Sequence, residues 1–179
     1  KPKAEPVRPR DECQICERKQ ACDVDGTLGH HGYKRPGWGF IQGDCMGEGH
    51  KPYPATDALE KYLANLDGYI GGCEAAIENL PSLATLSYSY DVYKERKRGT
   101  ETVAVHRGEQ SRFIFEKGLT IPSFEELERR ERGRLGLEIE HATHERKRIV
   151  ARIANAGQFA EAGEEARSDR PQQQHAESA

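Results

Sequence analysis

Four of the five cysteines and three of the seven histidines fall within residues 13–50. Cys13-x2-Cys16 opens that stretch, Cys22, His30, His31 and Cys45 follow, and His50 closes it. Thiolate and imidazole are the donors that tetrahedral zinc prefers, and Cys-x2-Cys lets two thiolates share one ion across a tight turn. His31 precedes Gly32 and Cys45 follows Gly43-Asp44, so each stands where a turn can present a ligand. The preferred ligand set is Cys13, Cys16, His31 and Cys45, holding one structural Zn2+ per chain. Cys22, His30 and His50 compete for the third and fourth places. A filled Cys3His site leaves no coordination position for a substrate, which favours a structural ion over a catalytic one. The alternative chemistry is a metal-dependent nuclease or hydrolase centred on His30, His31, Asp44 and His50.

The elements that must position these ligands are thin. Residues 13–55 hold eight glycines and only scattered apolar side chains: Ile15, Val24, Leu28, Trp38, Phe40, Ile41 and Met46. Such a module cannot sustain itself on a hydrophobic core and needs a staple. Two short strands, around residues 28–33 and 39–43, are expected to carry the ligands on their turns. Residues 1–12, with three prolines and four basic side chains, read as a flexible lead-in. No apolar run follows it, so it is not read as a secretory signal. Five unevenly spaced cysteines do not resemble a secreted disulfide framework, and a reducing compartment is expected.

The fold class expected is α+β: a zinc-ribbon-like knuckle, then an antiparallel hairpin of long helices bridged by a short β-meander. Leu59, Leu66, Ile70, Cys73, Ile77 and Leu80 recur at helical intervals over residues 56–80, with Thr56 or Asp57 as cap and Pro81 as stop. Cys73 lies on that stripe and reads as a core thiol. Over residues 84–116 the apolar residues alternate with polar ones, as in a meander whose third strand contains Phe113. Ser123 with Glu126 then opens a helix over residues 122–156, about 50 Å long. Its stripe includes Leu135, Ala142, Ile149 and Ala156, spaced by seven, and its spare apolar surface suits a homodimer through coiled-coil contacts. Residues 157–179 lack periodicity and read as a disordered tail. The domains expected are therefore 1–12, 13–55, 56–156 and 157–179.

Charge excludes some functions and leaves others. The 179-residue chain is 35% hydrophobic and 32% charged, with a net charge of -3, so it is not a globally basic nucleic-acid binder. No run approaches the ~20 apolar residues of a membrane span. Charge is unevenly spread, however. Residues 94–112 hold six basic and three acidic side chains, whereas residues 56–93 hold one and six. Lys94, Arg96, Lys97 and Arg98 form one candidate contact surface for nucleic acid or a protein partner. Lys34 and Arg35, in a loop with Tyr33, Trp38 and Phe40, form another.

Cys13-x2-Cys16, His31-Gly32-Tyr33-Lys34-Arg35-Pro36-Gly37-Trp38-Gly39 and Gly43-Asp44-Cys45-Met46-Gly47 together carry a resemblance. With the helix, basic hairpin and long charged helix that follow, they resemble an uncharacterised family of small proteins encoded by bacteriophages and prophages. The resemblance covers roughly residues 13–155 and is most specific at Cys13, Cys16, His31, Tyr33, Arg35, Pro36, Gly37, Gly39 and Cys45. It implies a phage-encoded protein working in the bacterial host cytoplasm, and it supports the preferred ligand set over Cys22 and His30. The function expected is a non-enzymatic accessory protein that binds a host or phage protein or nucleic acid. Its alternatives are the hydrolase above or a structural subunit of a phage particle.

Overall fold

The computed structural model describes residues 8–36, 42–94 and 97–168, excluding the side chains of residues 93, 94, 97 and 159–168. The described residues form an α+β protein of two long helices and three separate two-stranded antiparallel sheets. Contacts divide the chain into two compact units: residues 1–67 with 145–179, and residues 68–144. Both helices contribute residues to both units.

In the first unit, β1 (Arg10–Glu12) pairs with β2 (Lys19–Ala21), with Asp11 opposite Gln20. A strand therefore reaches into the segment expected to be a flexible lead-in. Isolated bridges join Cys22 to Leu28 and Gly32 to Asp44, and the pairing continues with Gln42 N–H donating to Tyr33 O at 2.7 Å. Of the second expected strand, around residues 39–43, residues 39–41 lie outside the described residues. Helix α1 (Asp57–Asn79) begins in this unit, and Leu59 is fully buried. The unit closes with residues of α2 (Phe124–Ser168), where Arg146 pairs with Asp67 of α1 at 2.5 Å.

In the second unit, β3 (Thr85–Lys94) and β4 (Lys97–His106) pair over their full lengths. Leu86, Tyr88 and Val103 pack with a buried cluster of Val105, Ile121, Phe124 and Leu127. Cys73, Leu80 and Leu135 form a second buried cluster joining α1 to α2, so Cys73 is a core thiol. The start of α2 is capped as expected, the Glu126 N–H donating to Ser123 Oγ at 3.2 Å.

Two expectations are corrected. The third strand does not extend a meander: β5 (Arg112–Ile114) pairs with β6 (Leu119–Ile121) in a hairpin of its own. The turn at Gly108, with φ +84°, ends the β4 ladder, and Gly118, left-handed at φ +57°, reverses the chain after Phe115–Lys117. Helix α2 also continues beyond residue 156, to Ser168. Three alanines and three glutamates among residues 157–168 favour that extension by helix propensity, without an apolar period.

Candidate metal centre

The Cys13–Cys16 turn follows β1 directly. Cys13 N–H donates to Arg18 O at 2.9 Å and Glu17 N–H to Cys13 O at 3.1 Å, closing a tight loop. Glu17 has φ +60°, a left-handed position that turns the chain back toward β2. Inside the loop, Ile15 N–H points at Cys13 Sγ, 3.4 Å away. The second pair of ligands comes from segments joined by the Gly32–Asp44 bridge. Cys45 N–H donates to His31 O at 3.0 Å, and Tyr33 N–H to Gly43 O at 2.7 Å.

These four side chains converge. Ligand atoms of Cys13, Cys16, His31 and Cys45 all lie within 4.8 Å of one another, and all four residues are buried. Cys13 Sγ is 3.7 Å from Cys45 Sγ and 3.3 Å from His31 Nε2. His31 Nδ1 sits 2.8 Å from Gly29 O. Because a carbonyl only accepts, Nδ1 carries the proton, and the lone pair of Nε2 is turned into the cluster, as metal-bound histidines are commonly held. The four residues are close enough to hold a metal ion, and their donors are those of a tetrahedral thiolate–imidazole site.

The three thiols shift one another's ionisation. Hydrogen bonds from Cys13 and Cys45 hold the Cys16 thiol far below its ordinary range. The bonds of Cys45 to Cys13 and to Cys16 push its thiol up, and Cys13 rises through its bond to Cys16 and through burial.

A surrounding set of residues fixes the turn, and the sequence reading did not identify them. Gln14 is fully buried. Its Nε2 donates to Lys51 O at 2.6 Å and to Asp57 Oδ1 at 2.9 Å, and its Oε1 accepts from the Ala58 and Leu59 N–H groups. The cap expected from Thr56 or Asp57 is thus supplied in part by the ligand turn itself. Asp57, bonded by Gln14 and His50, is held below the usual carboxylate range. From α2, Arg148 donates to Ile15 O at 2.9 Å, while Arg152 donates to Gln14 O at 2.7 Å and to Cys13 O at 3.3 Å. Three consecutive carbonyls of the turn are therefore taken by two arginines. Glu145, 1% exposed, accepts from Arg148 at 2.7 Å and from Tyr33 Oη at 2.8 Å. Gly47 completes the set, because a Cβ there would collide with Cys13 Sγ.

The competing candidates lie elsewhere. Cys22 is buried near Asp11, its Sγ 3.7 Å from Oδ2, and burial pushes its thiol up. His30 is exposed, with Nδ1 2.6 Å from Glu48 and Nε2 3.8 Å from Asp44. His50 Nδ1 lies 2.5 Å from Asp57. His30, Asp44 and His50 thus have partners of their own, and only His31 of the proposed hydrolase set belongs to the ligand cluster.

Of the candidate contact residues, Lys34 is half-buried, and Arg35 faces the buried Glu145 carboxylate at 3.7 Å. Lys94 and Lys97 pair at the end of the β3–β4 ladder, but their side chains, with Arg96, Trp38 and Phe40, lie outside the described residues. Arg98 is exposed and pairs with Asp91 at 2.6 Å. No described helix is long and apolar enough to cross a membrane. The chain matches no protein-family model, no curated protein and no solved structure.

Proposed function

We propose that this protein is a non-enzymatic, zinc-stapled binding protein of phage or prophage origin, acting in the cytoplasm of the bacterial host. The observation that carries the reading is the convergence of Cys13, Cys16, His31 and Cys45 as four buried ligands. Three thiolates and an imidazole suit zinc better than the harder cations, and four protein ligands complete its tetrahedron. The ion then acts as the core of a zinc-ribbon-like knuckle whose apolar residues are too few to hold it folded. With the tetrahedron filled, water and substrate have no place on the metal, so the site supports structure and not hydrolysis. Function passes to the surfaces that the stapled fold presents to a protein or nucleic-acid partner.

Elemental analysis of the purified chain tests the reading. One zinc per chain is expected, with cobalt substitution giving the intense visible bands of tetrahedral thiolate coordination. Cys16→Ser should lose the metal, and the knuckle should unfold with it. A chain that folds without metal overturns the proposal. So does zinc-dependent turnover of DNA or RNA that His31→Ala abolishes while leaving the zinc in place.

A further inference from the structure

The two phenylalanines of the β5–β6 hairpin are exposed against the usual logic of a strand. Phe113 is 51% and Phe115 89% exposed, whereas Ile114 between them packs against the buried cluster of Val105, Ile121, Phe124 and Leu127. Along β5 the period of two sends Ile114 inward and Phe113 outward, and Phe115, opening the turn that follows, is also exposed. The rings meet edge to face, with centroids 4.9 Å apart and planes at 85°. Their support is anchored. Lys117, two residues on, bonds Tyr90 Oη at 2.8 Å and Glu101 at 2.5 Å, which ties the Phe115–Lys117 turn to β3 and β4. Thr120 stands opposite Phe113 in the ladder.

We infer that Phe113 and Phe115 form a stacking platform for single-stranded nucleic acid, which names the partner left open in the proposed function and rests on that reading. Every base offers a π-face to an aromatic ring, and a single strand leaves those faces uncovered while a duplex does not. Charge complements the rings: Arg112 lies exposed beside Phe113, and Arg98 is exposed on β4. Exposed ion pairs such as Arg98–Asp91 are weak and exchange readily for phosphate. A protein partner fits less well. Two rings supply a few hundred Å2 at most, against about 800 Å2 a side for a standard interface.

Fluorescence anisotropy with the full-length, zinc-loaded chain tests this, using labelled oligo-pyrimidine DNA and RNA and a duplex of the same length. Single strands should bind with an affinity that falls as salt rises. The double variant Phe113→Ala/Phe115→Ala should weaken binding by about tenfold or more, while Phe115→Trp preserves it. Absence of binding at low salt overturns the inference, as does a duplex bound as tightly as the single strand, or an unchanged affinity in the double variant. A dimer seen by light scattering and lost in the double variant, with no effect on oligonucleotide, assigns the rings to a second copy of the chain instead. Zinc content measured on the same samples separates failure of this surface from failure of the metal site.

Discussion

The ligand residues were legible from their types and spacing, because a metal demands particular donors and a glycine-rich stretch without a core demands a staple. Gly47 was not legible. Among the eight glycines of residues 13–55 it looks ordinary, and only the packing shows that its hydrogen faces Cys13 Sγ. Gly47→Ala should therefore weaken zinc binding by about tenfold or more, measured by competition with a chelator; an unchanged affinity removes Gly47 from the site. Glu145 was hidden for another reason: a carboxylate followed by Arg146, Lys147 and Arg148 on a helix reads as a solvated face. Burial pushes its carboxyl up, but bonds from Arg148 and Tyr33 outweigh that and leave it below its ordinary value of 4.5. The groups facing it are Tyr33, Tyr62, Arg35 and Arg148. A depressed folded-state pKa gives stabilisation that is complete above 4.5 and fades as pH falls toward the folded value. Glu145→Gln should cost about 3 kcal/mol near neutral pH, and its urea midpoint should approach that of the parent below pH 4.5. A gap that does not narrow in acid contradicts this role.

At the scale of elements, local pattern told more about helices than about sheets. The apolar stripe of α1 and the Ser123 cap of α2 were readable because helix signals lie within a few residues of each other. Strand pairing joins distant residues. That Phe113 pairs with Thr120, and not with β4, depends on the turns at Gly108 and Gly118. The far end of α2 escaped detection because propensity alone extends it beyond its apolar stripe. Gln14 shows how an element can borrow its cap from a distant turn, a contact between residues 43 to 45 positions apart that no local motif encodes. Gln14→Ala removes that cap and leaves the Ala58 and Leu59 N–H groups to other partners. A loss of about 1–2 kcal/mol in urea unfolding is expected, with one zinc still bound. A neutral substitution would show that α1 starts independently of the metal turn.

For the whole molecule, composition foretold a protein with little core, and among the described residues the buried side chains gather in separate small clusters. The first unit joins residues 1–67 to 145–179 across the length of the chain. Its contacts run through the ligand turn: Arg148 and Arg152 hold the carbonyls of Cys13, Gln14 and Ile15, and Gln14 holds the start of α1. The second unit has its own buried cluster around Val105, Ile121, Phe124 and Leu127. Sequence could name the ligands but not this dependence, since the arginines are 131 to 140 residues from their partners in the turn and β1. Amide hydrogen exchange before and after chelation tests the stapling most directly. Removing the metal should abolish protection in residues 12–33, 43–66 and 145–156, leave it around Val105 and Phe124, and one equivalent of zinc should restore what was lost. Unchanged protection of the first unit in a chain shown to be metal-free would contradict the account.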